Sequence, residues 1–385
     1  MRMEADKAVS RQQYGYRVTP ILVPRIQPVG GLEFTSLWQR ERIASRGAEL
    51  NAEMLEQTSQ GGGEVVQKLY PHLIKPALVK QGPAGLYPKP RIWMDAKDME
   101  GFNAYLSYGF ITEPGTLHPV EGMVVHPYDE VLVFAGYQDG DIRRMEAEIS
   151  IQLGAEREVH TFHKPTYVVI PRGTPHGPVT THWVDRPIAH YVVGLSPEYK
   201  ADVLPAGTPT TGSKYAHLVK NLRCELPDAL KTMTGEEKRG PTYADIMDED
   251  GILHPVKFGV GPGNGDEIVW LFGDNLEGMD VNFTWGYYTK TGKWHRGGEV
   301  HTHPEAEILC YLGLDPENLD YLGAELELGM GKERERHVFN TPTVAVCPEG
   351  FPHLPLITRW VDKPYAFIVV CLSGEHDSPW VEVEE

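Results

Sequence analysis

The sequence predicts an all-β protein: two tandem antiparallel β-barrels behind a helical and extended N-terminal arm. Three observations lead there. A long segment is repeated, both copies read as short strands, and turn-forming residues abound. The 385 residues include 40 glycines and 31 prolines, which favours frequent turns over long helices.

The repeat sets the domain organisation. Residues 91–196 align with 268–373 at a constant offset of 177 residues, with 38 identities in 106 positions and no gap. The identities cluster. His126-Pro127 matches His303-Pro304, Glu130 matches Glu307, and Gly136 matches Gly313. Pro171, Gly173, Pro175 and His176 match Pro348, Gly350, Pro352 and His353. A fainter echo relates residues 70–75 to 215–220. The expected division is an arm over 1–90, a first barrel over 91–196, a linker over 197–267 and a second barrel over 268–385.

Within each copy, 130–136 and 307–313 are apolar runs that end in glycine. Residues 147–154 alternate, placing Ile149, Ile151 and Leu153 on one face. Proline-bounded runs at 165–171 and 342–348 read as edge or buried strands. Helix is expected only in the lead-ins. Ser36 and Gln39 have the spacing of a capping box that opens a helix running to Gly61-Gly62-Gly63. Residues 64–80 and 213–223 read as short helices, and 1–34 and 197–212 as extended arm and linker.

Composition narrows the class of function. The net charge of −18 and pI near 5.3 argue against nucleic-acid or anionic-membrane partners, which reward a basic face. A local pocket can still oppose the global sign. Four cysteines, Cys224, Cys310, Cys347 and Cys371, share no C-x-x-C spacing and read as buried thiols in a reducing compartment. There is no apolar leader and no apolar run long enough to span a bilayer. A cytoplasmic protein with a small-molecule substrate is expected, with further copies of itself as the one other partner to consider.

The densest chemistry lies between Gly297 and Glu307. In a strand, residues two apart face the same way, so His301 and His303 point together, and Glu307 shares their parity beyond a turn. Two imidazoles and a carboxylate converging in a barrel mouth suit a divalent metal. Pro348-Glu349-Gly350-Phe351-Pro352-His353 presents a further histidine at a strand start.

Together these motifs resemble the cupin superfamily, whose pattern runs H-x-H-x(3,4)-E-x(6)-G and then P-x-G-x-x-H. The resemblance covers 91–196 and 268–373 and implies a bicupin, two double-stranded β-helix barrels. His301, His303, Glu307 and His353 would be the metal ligands of the second. Departures fall in the turns: Glu307 to Gly313 is one residue short, and His295 stands where the family has glycine. The implied ion is Fe(II) or Mn(II), with Ni and Zn also compatible with such ligands. In the first copy Val124 replaces the first histidine. His126, Glu130 and His176 remain as a second, incomplete set, read as vestigial.

Other residues recur without being ligands. His118 corresponds to His295 and His160 to His337, and His295 and His337 are candidates for acid–base catalysis. Tyr311, Trp294 and Phe351 near the site hint at an aromatic substrate. Glu325 and Glu327, opposite Leu326 and Leu328, read as the solvent face of a half-buried strand. Residues 332–336 read as a hairpin tip. No phosphate-cradling glycine loop, nucleophile elbow or dinucleotide fingerprint is present. The functional expectation is a metal-dependent bicupin enzyme acting on a small aromatic or keto-acid substrate, a dioxygenase-type oxidoreductase first. Its alternatives are a non-oxidative lyase, decarboxylase or isomerase, and a ligand-binding protein without turnover.

Overall fold

The structure, a computed structural model, describes residues 68–138, 141–222, 252–253, 265–294 and 300–381. The helix expected over 36–60, Cys224 and His295 lie outside these residues. Within them the repeat is reproduced strand for strand. Tyr105–Ile111, Gly115–Leu117, Ala147–Leu153, Glu158–Phe162, Thr166–Ile170, His176–Val184 and Ile188–Gly194 recur 177 residues later. Their counterparts are Asn282–Tyr288, Gly292–Trp294, Ala324–Met330, Glu335–Phe339, Thr343–Cys347, His353–Val361 and Tyr365–Cys371.

Each copy builds two antiparallel sheets. In the first, the larger sheet runs in the order Val219–Asn221, Thr166–Ile170, Glu130–Ala135, Ile188–Gly194, Tyr105–Ile111, Arg91–Met94, Val79–Lys80. The smaller runs Asp202–Leu204, Met123–Val125, His176–Val184, Ala147–Leu153, Glu158–Phe162. The second copy repeats both sheets. From Glu158–Phe162 to Val219–Asn221 consecutive strands alternate between the sheets, which is the jelly-roll winding of a double-stranded β-helix. In Ala147–Leu153 and its repeat the inward positions are apolar: Ile149, Ile151 and Leu153 are fully buried, as are Leu326 and Leu328. Glu325 and Glu327 are partly exposed on the outer face, where Glu327 accepts from Arg336 Nε and Nη2 at 2.6 and 2.7 Å. The hairpin tip expected over 332–336 falls at 331–334, and residues 335 and 336 already belong to strand Glu335–Phe339.

The lead-ins differ from expectation. In place of helices over 64–80 and 213–223, the described parts contain single 3-10 turns, Pro71–Leu73 and Ala216–Leu218, each followed by a strand. Such a short segment gains little as an isolated helix. Ile74 and Val219 are β-branched and gain ladder bonds by adding to a sheet edge. The edge each one takes is notable. Ile74–Pro76, before the first barrel, pairs with Thr343–Cys347 of the second. Val219–Asn221, before the second barrel, pairs with Thr166–Ile170 of the first. The exchange is reciprocal, and recurrent ion pairs, Lys75 with Glu100 and Lys220 with Glu277, accompany it.

The two barrels belong to one compact unit and meet through aromatic faces. Tyr108 Oη donates to the Gly313 carbonyl at 3.0 Å, and Tyr191 packs edge-on to Trp285 with centroids 5.5 Å apart. Among the described residues no helix is long and apolar enough to cross a membrane.

The repeated Gly136 and Gly313 share a steric cause. A Cβ would lie 1.9 Å from the Arg144 carbonyl oxygen at Gly136 and 1.9 Å from the Tyr321 carbonyl oxygen at Gly313. Backbone cannot yield as a flexible side chain can. Gly313→Ala should therefore destabilise the protein by about 1–3 kcal/mol, the usual range for overpacking. Denaturant unfolding measures this, and an unchanged midpoint would contradict the close approach.

Candidate metal centres

In the first barrel four side chains converge, two from strand starts and two from the turns that follow strands. His118 follows Gly115–Leu117, His126 follows Met123–Val125, Glu130 opens Glu130–Ala135, and His176 opens His176–Val184. One potential ligand atom from each lies within 4.8 Å of all the others, and all four residues are buried. Glu130 Oε2 is the hub, with His118 Nε2 at 3.1 Å, His176 Nε2 at 3.1 Å and His126 Nε2 at 3.6 Å.

This corrects the expectation of an incomplete first site. Val124 does stand opposite His176 in the ladder, as His301 stands opposite His353. His118, in the turn after Gly115–Leu117, brings a third imidazole to the cluster. Its backbone is left-handed, with φ of 51°, uncommon outside glycine. Gly177 makes room for that turn, since a Cβ there would lie 2.3 Å from the His118 carbonyl oxygen. The second copy carries Leu354 at the corresponding place. The pairing of His118 with Gly177 is the sequence signal that could have exposed the fourth group.

The second barrel gathers the predicted set. His303 Nε2 and His353 Nε2 lie 3.4 and 3.1 Å from Glu307 Oε2, and His301 Nε2 lies 3.1 Å from His303 Nε2. Here the close groups are three overlapping trios: His301 with His303 and His353, His303 with Glu307 and Cys371, and Glu307 with Cys347 and His353. The two thiols lie opposite Glu307 in the ladders on either side. They are buried and free, as expected of the cysteines. His337 is buried away from these groups, its Nε2 2.7 Å from Glu335. Tyr311 stacks on Phe367 at 4.9 Å within the core, and Phe351 packs against Tyr70.

Both clusters suit a cation on internal evidence. His126 Nδ1 meets the Lys200 carbonyl at 2.7 Å, and His176 Nδ1 meets the Thr174 carbonyl at 3.0 Å. The same bonds recur in the second copy, from His303 to Asp377 and from His353 to Phe351, at 2.7 and 3.1 Å. A carbonyl only accepts, so each Nδ1 carries a proton and Nε2 is the ring atom turned inward, a bare lone pair wherever the ring is neutral. Those lone pairs face a carboxylate oxygen, and His126 Nε2 and His176 Nε2 have no hydrogen-bond partner. Acceptors aimed at one another from a buried shell repel unless a cation lies between them. The backbone bonds are those that orient metal-binding imidazoles. Burial depresses His126 to about 4, which keeps it neutral near pH 7. Burial works against the Glu130 carboxylate, but its histidine neighbours, His118 foremost, hold it well below the ordinary carboxylate range.

Phenols reach into the first cluster. Tyr105 donates to Glu130 Oε1, Tyr128 Oη sits 3.5 Å from Tyr105 Oη, and Tyr87 Oη sits 2.9 Å from His118 Nδ1. Burial, then the nearby Glu130 charge, raises Tyr105 well above the ordinary phenol value. Burial pushes Tyr87 and Tyr128 up to about 12. All three hold their protons at neutral pH.

No family model matches the chain, and no curated protein does. Among solved structures it is similar to the oxalate decarboxylase of Lactobacillus farciminis in complex with formate. That match has 12% identity and a TM-score of 0.47, covering 83% of this chain and 90% of that one. The Bacillus subtilis oxalate decarboxylase at pH 4.6 matches with 11% identity and a TM-score of 0.44, covering 76% of this chain and 74% of that one. At these scores the chemistry rests on this chain's own residues.

Proposed function

We propose that the chain is a two-metal bicupin enzyme, a non-oxidative lyase or isomerase of small organic acids whose working site is the first barrel. The observation that carries this reading is the buried convergence of imidazole lone pairs on Glu130, wrapped in protonated phenols. His118, His126, His176 and Glu130 would hold a first-row divalent ion, with Mn(II) or Fe(II) compatible with three imidazoles and one carboxylate. Such an ion supplies Lewis acidity toward a carboxylate or carbonyl oxygen.

The protein's own groups do the rest. The Lys200 and Thr174 carbonyls fix the tautomers of His126 and His176. The barrel excludes water, which strengthens every charge interaction inside it. Tyr105 keeps a proton at Glu130 Oε1, and Tyr128 can replenish it through the phenol contact. A proton donor beside a site that develops negative charge is what decarboxylation or enolisation needs. This phenol shell favours the non-oxidative alternative over the oxygenase expected from the sequence.

The test has two parts. Elemental analysis of protein loaded with Mn(II) or Fe(II) should give two ions per chain. Assays on a panel of small keto and dicarboxylic acids should show turnover in the absence of oxygen. One ion per chain would overturn the two-site reading, and turnover that consumes oxygen stoichiometrically would restore the oxygenase.

A further inference from the structure

Arg91 opens strand Arg91–Met94 of the first barrel and is 5% exposed. A buried guanidinium is costly unless an anion faces it. Its partners here are not anions. Nη2 donates to the His190 carbonyl at 2.6 Å, and the guanidinium carbon lies 4.0 Å from the centre of the Tyr87 ring. Nε is buried without a hydrogen-bond partner. The groups that act on its charge are the neutral phenols Tyr87 and Tyr108. Among the described residues no ion pair neutralises it.

The scaffold does not require this cation. The corresponding residue of the second copy is Ile268, and the residue corresponding to His190 is Phe367. The neighbouring glycine is kept in both. A Cβ at Gly109 would lie 3.6 Å from the Arg91 guanidinium carbon, and Gly286 pairs with Ile268. The same strand pair is thus built with an apolar residue in one copy and a buried cation in the other.

Arg91 also lines a cavity of about 320 Å³, with Tyr87, Phe110, Thr116, Leu117 and Val120 among its walls. That is the size of a small-ligand pocket. At the rim Lys89 and Glu113 neutralise each other at 2.5 Å, so the inner charge is positive although the chain carries −18 overall. The inner wall leads to the metal cluster, because Tyr87 touches Arg91 with its ring and His118 Nδ1 with its hydroxyl.

We propose that this cavity binds the carboxylate of a small organic acid, with Arg91 as countercharge and the apolar body of the acid against Phe110 and Val120. The inference goes beyond the metal chemistry, since none of the groups that would hold the acid is a metal ligand.

Calorimetric titration of the full chain with acetate, pyruvate, benzoate and phenylacetate tests it, with benzamide as the neutral counterpart of benzoate. At least one acid should bind, benzamide should not, and binding should persist after chelators strip the metal. Arg91→Met should weaken the acid about tenfold to a hundredfold, the worth of a hydrogen-bonded charge. Arg91→Ile, which copies the second barrel, controls for folding, with circular dichroism and metal content read alongside. Failure of all four acids, equal binding of benzamide, or undiminished binding by a folded Arg91→Met protein would overturn the proposal. A wild-type chain that takes up no metal yet binds the acids would count against the metal reading alone.

Discussion

Replacing His118 by alanine should halve the metal content, from two ions per chain to one, and abolish turnover. His118 Nε2 lies 3.1 Å from Glu130 Oε2 in a cluster with no exposed side. Alanine would leave His126, Glu130 and His176 around an open coordination position in a buried hollow. An ion held there loses a ligand, and with it part of the folding energy that binding contributes. The second barrel, with its own His301, His303, Glu307 and His353, should keep its ion. His126→Ala should behave like His118→Ala, the reverse of what a vestigial first site implies. The measurement is elemental analysis beside activity, with thermal unfolding of loaded and stripped protein. If the His118 variant keeps both ions and its turnover, the left-handed turn at His118 serves only packing.

The case of that residue shows what the sequence can and cannot reveal. The repeat offset locates seven strand pairs, because duplicated strands preserve spacing when turns do not change length. His301, His303, Glu307 and His353 are legible because ladder parity is a local property: residues two apart share a face. His118 is not legible by that logic. It sits in the turn after another strand, and its inward aim depends on a positive φ and on the hollow at Gly177, neither of which parity encodes. Its match to His295 points instead to a recurrent acid–base role. The lead-ins read as helices for a related reason. Ile74 and Val219 become strands because an unpaired edge of the opposite barrel awaits them, and tertiary context overrides a weak local preference. Arg91 is silent in the sequence, since an isolated arginine carries no pattern. Only burial without a carboxylate gives it meaning.

Tyr105→Phe should lower kcat by about 10²–10⁴-fold, the usual contribution of a positioned proton donor, while both ions remain bound. The phenol occupies a hollow that Gly194 creates, since a Cβ at Gly194 would fall 2.3 Å from the Tyr105 ring. The second copy carries Cys371 in place of Gly194 and Asn282 in place of Tyr105, so the phenol belongs to the first barrel alone. Phenylalanine keeps the stacking on Trp93, with centroids 5.1 Å apart, and removes only the hydroxyl that donates to Glu130. Two roles then separate. A hydroxyl that merely orients Glu130 would, on removal, weaken metal affinity by about 10–100-fold, as outer partners of metal ligands do. Activity would return at saturating metal. A hydroxyl that delivers a proton leaves a deficit in kcat that added metal does not repair. The measurement is kcat against metal concentration for both proteins, on whichever acid the wild type turns over. Full recovery at saturating metal would reduce Tyr105 to a prop for its carboxylate and would remove the main reason for ranking non-oxidative chemistry first.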